Sequence, residues 1–332
     1  MAKWKTGVSG AVLGLVCLCW PPEAEAARQS CIVASISENL LGGQSDTPLM
    51  PVKINNQPAA LFLSYDYESI YVKNSASVNF DKLIDESAWG TEYVLNTFGK
   101  REKAHVIRVN TFSFGGFDVP DAKLVLLKGE SRQSVQGLPV IGIIGNVFLN
   151  NFSVLFDVKN KKITFFEVKD GCENKEEITE IMGGDFHVVN IHNNANRLEV
   201  AVKVSGRKVH FFINPDLDMT EMPVGWLAGY HIPLVKKDEK TAVRFNLNEG
   251  YISNIATVES LTIGDDTEKN RTIKVADKIY DGSLGLDFFA DHIVLIDAIN
   301  SKMYFRKSDG TSTGAGHNLH FETSRNASID VK

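Results

Sequence analysis

A chain of 332 residues has room for about two domains, and its 43% hydrophobic and 23% charged residues are the balance of a globular protein with a real core. The net charge is −6 and no Lys/Arg stripe dominates any segment, which argues against a nucleic-acid-binding surface. Beyond the N-terminus no stretch approaches transmembrane length.

The first predicted element is a targeting segment. Lys3 and Lys5 precede a short apolar run from Val8 to Trp20, and Ala24 and Ala26 offer an A-x-A cleavage pattern before Ala27. Residues 1–26 are therefore expected to be a signal peptide. The mature chain would be periplasmic or secreted, with no stable membrane span; a retained single anchor is the other reading. Removing this segment leaves two cysteines, Cys31 and Cys172. In an oxidising compartment they are candidates for one disulfide closing the first domain, or else two unrelated thiols. There is no CxxC, HExxH or Cys/His cluster, so neither zinc nor another cofactor is expected.

The next element is an apolar strand ending in "LFL" (61–63), which runs into a knot of hydroxyls and carboxylates from Ser64 to Ser69. "FDKLIDES" is the best helix candidate. "VIRVNTFSFGGFDVPDAKLVLL" is expected to form two strands joined through Gly115 and Gly116. A glycine pair, Gly142 and Gly145, precedes one helical turn in "NVFLNN". "FSVLFDVKNKKITFFEV" then alternates apolar and polar residues about a turn, as a β-hairpin does. Residues 170–185 are charged and glycine-bearing, a linker or connecting strand.

After the linker the chain repeats itself. "VKINNQPAALFLSYD" (52–66) aligns without a gap on "VKVSGRKVHFFINPD" (202–216). "GIIGNVFLNNFSVLFDVKNKKITFF" (142–166) aligns on "GSLGLDFFADHIVLIDAINSKMYFR" (282–306), with Gly142/Gly282, Gly145/Gly285 and Asp157/Asp297 among the identities. The expected organisation is an all-β pair of lobes, 47–169 and 186–307, followed by a polar, disordered tail, 308–332, with a formal glycosylation sequon at Asn326.

These blocks carry a family resemblance. The strand with its polar turn, the "TFSFGG" element (111–116) with its counterpart "SLTIGD" (260–265), and the glycine-pair block, each in two copies, resemble the retropepsin-like aspartic proteases. The chain is similar to bacterial aspartyl-protease-like proteins with two such domains in tandem. The resemblance covers about 47–170 and 186–307 and implies two β-barrel lobes facing each other across a peptide cleft. It also implies a D-[TS]-G triplet at the end of the strand in each lobe, and the spacing puts those triplets at Ser64-Tyr65-Asp66 and Asn214-Pro215-Asp216. Each position departs from the pattern.

The departure matters because two facing carboxyls must share one proton, one activating water and the other donating to the carbonyl. Ser64 and Asn214 do not titrate near neutrality and cannot be the general base; they are expected to hydrogen-bond each other across the lobes. Three readings of the neighbouring acids remain. Asp66 and Asp216 form a displaced catalytic dyad, or they cap their turns, or Asp66, Glu68, Asp216 and Asp218 hold a calcium-like ion. Asp157 and Asp297 are expected to be turn-formers. His187, His192, His210, His231 and His292 are scattered and are expected at the surface or as satisfied core residues. The resemblance thus implies an exported, catalytically inactive protease-like protein binding a peptide or protein segment in its interlobe cleft. An active endopeptidase and a structural component of the cell envelope are the alternatives. No oligomeric state follows from the sequence.

Overall fold

The computed structural model describes residues 30–42, 46–80, 90–95, 101–240, 252–277, 279–308 and 322–323. The expected signal peptide, nearly all of the "FDKLIDES" helix, the sequon and most of the tail lie outside these described residues.

The first lobe is built from β1 (Ile32–Asn39), β2 (Leu49–Ile54), β3 (Gln57–Leu63), β4 (Tyr71–Ser75), β5 (Gly90–Leu95) and β6 (Arg101–Phe114). It continues through β7 (Phe117–Ser131), β8 (Gln133–Val135), β9 (Leu138–Ile144), helix α1 (Asn146–Leu149), β10 (Ser153–Asp157) and β11 (Lys162–Val168). Helix α2 (Lys175–Met182) connects the lobes. The second lobe contains β12 (His187–Asn194), β13 (Arg197–Val204), β14 (Arg207–Ile213), β15 (Glu221–Pro223), α3 (Leu227–Tyr230) and β16 (Leu234–Lys240). It ends with β17 (Ile252–Ile263), β18 (Asp266–Ala276), β19 (Gly282–Leu284), α4 (Leu286–Asp291), β20 (His292–Asp297) and β21 (Lys302–Lys307).

Each lobe closes a six-stranded barrel. In the first, the order β9-β3-β2-β6-β7-β4 returns to β9; in the second, β13-β14-β19-β15-β18-β17 returns to β13. Closure leaves no free edge within the ring, which is how an all-β chain of this size avoids edge-to-edge association. The same unusual connection occurs in both barrels. β3 and β4 flank β9, one parallel and one antiparallel to it, and β14 and β15 flank β19 in the same way. The polar segments 64–70 and 214–220 must therefore arch over a third strand.

The repeated glycines make that arch possible. A Cβ on Gly145 would lie 2.4 Å from the Ser69 carbonyl oxygen, and one on Gly285 would lie 2.2 Å from the Met219 carbonyl carbon. Backbone bonds lock the two arches identically. Ser64 and Asn214 N–H donate to Ile144 and Leu284 carbonyls, both at 3.0 Å, and Asn146 and Leu286 N–H donate to Tyr67 and Leu217 carbonyls, both at 2.7 Å.

Between the barrels a continuous sheet runs β1-β11-β10-β20-β21-β12, and its middle pair, β10 and β20, joins the lobes antiparallel. Each contributing hairpin turns on an aspartate, since Asp157 Oδ2 accepts from Asn160 Nδ2 at 2.9 Å and Asp297 Oδ2 from Asn300 Nδ2 at 2.8 Å. Phe156 and Phe289 meet edge to face at 5.3 Å between the lobes.

Three features differ from the sequence reading. β1 precedes the expected start of the first lobe at Thr47 and pairs with β11. Residues 175–182 of the expected linker are helical, with Asn174 Oδ1 accepting from the Glu176 and Glu177 N–H groups and Gly183 closing the helix at φ 70°. Two residues of the expected disordered tail, Glu322 and Thr323, form β22, antiparallel to β8. Cys31 and Cys172 form a disulfide, with Cα atoms 5.5 Å apart. Beside it, Glu177 Oε2 of α2 accepts from Cys31 N–H at 2.9 Å. The bridge and the helix together clamp β1 to the central sheet, whose apolar patch of Phe166, Ile293 and Leu295 packs against Met182 and Ile178.

Candidate functional site

The two arched segments bring the expected site residues to the boundary between the lobes, but not as a matched pair. Ser64 is fully buried, and its Oγ donates to Asp216 Oδ1 at 3.0 Å while accepting the Asp66 N–H at 3.1 Å. The bond that crosses the lobes at this position therefore runs from Ser64 to Asp216, where the sequence had suggested Ser64 to Asn214. Asn214 is also buried, but its Oδ1 has no hydrogen-bond partner.

Asp66 and Asp216, which occupy equivalent positions in the repeat, have opposite surroundings. Asp216 is 3% exposed, whereas the Asp66 side chain is 35% exposed and ion-paired to Arg197. Arg197 opens β13, and its guanidinium lies 3.5 Å above the Phe212 ring, a cation–π contact that fixes the direction of its charge. One residue before it, Asn196 Nδ2 donates to Glu68 Oε1 at 3.2 Å. The β12–β13 turn of the second lobe thus grips the arch of the first.

Asp218 is turned elsewhere again, into a buried ion pair with Lys274 of β18. Asp66, Glu68, Asp216 and Asp218 are therefore dispersed among Arg197, Asn196, Ser64 and Lys274 and do not converge as a set of oxygen ligands. Among the described residues, the His, Cys, Asp and Glu side chains that do converge are Asp266, Glu268 and His292.

Tyr65 fills the middle position of its triplet with a fully buried ring. Its centroid is 6.3 Å from that of Phe156, and its hydroxyl has no partner. Burial pushes the phenol far above its ordinary range, with the nearby Asp297 charge adding to the rise, so it stays neutral. Pro215 is buried as well. Both triplets are thus embedded in packing.

Below the second arch lies a polar network without a counterpart in the first. Thr220 donates through its N–H at 2.7 Å and its hydroxyl at 2.8 Å to Asp287 Oδ1, and Arg271 Nη2 donates to Asp287 Oδ2 at 2.8 Å. Burial raises the Asp287 carboxyl above its usual range, against the opposing pull of Arg271 and Thr220. The aligned positions of the first lobe, Ile70 and Val147, are apolar.

This arrangement limits the chemistry available. Where the arches meet, the buried Asp216 carboxylate faces the Ser64 hydroxyl, not Asp66, its equivalent in the repeat, so these two acids do not form a pair that shares a proton. Ser64 has no exposed surface from which to attack a substrate. The residues that sequence reading missed, Arg197, Asn196, Lys274 and Arg271, carry no local motif; they matter because folding brings them to acids far away along the chain. Among the described residues no helix is long and apolar enough to cross a membrane. No protein-family model matches the chain, and no curated protein matches it significantly.

Proposed function

We propose that this is an exported, aspartic-protease-like protein that has lost peptidase activity and binds an extended peptide or protein segment between its lobes. The observation that carries this reading is the Ser64–Asp216 bond, in which a neutral hydroxyl stands where a second carboxyl would be needed. Asp66, the residue that a displaced dyad would require, is instead neutralised by Arg197.

Support for the fold relationship comes from the twin barrels, the repeated arch over a glycine-bearing strand and the shared central sheet. Support for export comes from the Cys31–Cys172 disulfide, a bond that persists in oxidising compartments. Support for peptide binding comes from two hairpins at corresponding places in the repeat, β5–β6 and β16–β17. Among the described residues, β5 pairs only with β6 and β16 only with β17, so each hairpin offers an outer edge to which an extended segment can add as a strand.

The test is incubation of the purified protein with a diverse peptide mixture from about pH 3 to about pH 8, followed by mass spectrometry of the bound and cleaved fractions. The expected result is retained peptides with no new termini, and retention that survives Asp66→Asn. Cleavage that disappears in Asp216→Asn would establish an active endopeptidase instead. Neither cleavage nor retention, from folded protein, would favour a structural role in the envelope.

A further inference from the structure

Away from the arches, the start of β18 and the junction of α4 with β20 bring Asp266, Glu268 and His292 together, with one donor atom from each lying within 4.8 Å of the others. The histidine is a core residue whose two ring nitrogens have different surroundings. Its side chain is fully buried, and the ring stacks on Phe288 with centroids 4.2 Å apart. Nδ1 lies 2.9 Å from the Phe288 carbonyl oxygen, an acceptor, so Nδ1 carries a proton. In the neutral ring, Nε2 is then left with its lone pair facing outward.

Nε2 makes no hydrogen bond of good geometry and points at carboxylate oxygens, Asp266 Oδ2 at 3.4 Å and Glu268 Oε1 at 3.9 Å. The first distance exceeds that of a well-formed N–H···O bond. A lone pair and two carboxylates facing one another repel unless something positive lies between them.

The surroundings are rich in carboxyl groups: among the described residues Asp266, Glu268, Asp287 and Asp291 gather beside Arg271 and Lys307. Arg271 donates to Asp287 and Asp291, both at 2.8 Å, and its Nη1 lies 3.0 Å from Glu268 Oε2. That contact holds Glu268 so that its other oxygen, Oε1, faces His292. Lys307 stands 4.0 Å from Glu268 Oε1, and its side chain is 62% exposed.

We propose that Asp266, Glu268 and His292 bind a divalent first-row metal ion, with Zn²⁺ best suited to a donor set of one imidazole and two carboxylates. Donor atoms around a tetrahedral ion with bonds of about 2.1 Å stand about 3.4 Å apart, the separation already present between His292 Nε2 and Asp266 Oδ2. A backbone carbonyl on Nδ1 is the outer-shell partner that metal-bound histidines commonly have, because it fixes both tautomer and ring orientation. The ion would tie the β17–β18 turn to the first residue of β20, the strand through which the second lobe joins the first.

The test uses the full chain, stripped with a chelator and titrated with Zn²⁺ against a chromophoric competitor. His292→Ala risks unfolding a buried site, so the informative variants are Asp266→Asn and Glu268→Gln, which keep the side-chain shape at positions that are 17% and 15% exposed. The surface histidines offer a competing site, His192 and His210 with ring centroids 6.2 Å apart, and His192→Ala controls for it. The His187–Asp265 pair is controlled by His187→Ala. The expected result is one equivalent bound, affinity reduced at least about tenfold in either carboxylate variant, and no change in the two controls. A metal-induced rise in melting temperature should disappear in the same carboxylate variants. No binding, binding indifferent to Asp266→Asn and Glu268→Gln, or binding lost in a surface control would overturn the proposal.

Discussion

Ser64 Oγ donates to Asp216 Oδ1 at 3.0 Å, a bond between residues 152 positions apart that links the arch of one barrel to the arch of the other. Both partners are buried, so the hydroxyl cannot be withdrawn without leaving a carboxylate short of a donor. Ser64→Ala should therefore destabilise the fold by about 1–3 kcal/mol, read from the urea midpoint with an unchanged slope. Ser64→Asp should be worse at neutral pH, because a second carboxyl beside Asp216 has its pKa pushed up in the folded state. That penalty grows as pH rises above the ordinary aspartate value of about 3.9 and is absent below it. Equal destabilisation by Ser64→Asp at both ends of this range would show that Asp216 is not its neighbour in solution.

Two acids of the arches, Asp66 in the first and Asp218 in the second, should respond very differently to loss of charge. Asp66→Asn breaks a partly exposed ion pair with Arg197 and should change stability by less than about 1 kcal/mol. Asp218→Asn strands the buried Lys274 ammonium and should cost about 3–5 kcal/mol. Chemical denaturation of the two variants side by side checks the contrast; similar losses would mean that the two environments are more alike than the ion pairs indicate.

Tyr65 carries a buried hydroxyl that has lost its contacts with water and gained no partner. Tyr65→Phe removes that group while keeping the ring against Phe156. The expected outcome is unchanged stability or a gain of up to about 1 kcal/mol, measured by thermal unfolding. A loss of more than that would reveal a hydrogen bond to the phenol.

The Cys31–Cys172 bridge closes a sequence separation of 141 residues around the first lobe. Reduction should lower stability by about 2–5 kcal/mol, with the unfolded chain regaining freedom that the bridge removes. Comparing unfolding with and without reductant measures this directly. Because Glu177 of α2 bonds the Cys31 and Ile32 N–H groups, hydrogen exchange should rise first in β1.

The local elements were legible in the sequence because their signals are short-range. The hairpins of the central sheet follow from period-two alternation, with Asp157–Asn160 and Asp297–Asn300 closing turns only three residues apart. The glycine pairs and the ungapped repeat anticipated two equivalent all-β lobes. The segment 170–185 was legible in part. Its charge suggested a linker, but Asn174 before "KEEITEIM" and Gly183 after it are a helix start and stop, and those signals prevailed.

What the sequence by itself determined was the duplicated strand pattern, the positions of the two polar turns and the glycines that let them arch over a third strand. Only the tertiary structure decided which acids are neutralised and by what. Asp66 meets Arg197, Asp216 meets Ser64, Asp218 meets Lys274, and His292 is left facing Asp266 and Glu268. The physical reason is that strand pairing is set by local alternation, whereas electrostatic partnership depends on through-space distances of about 3 Å between atoms whose separation in sequence carries no periodic signal.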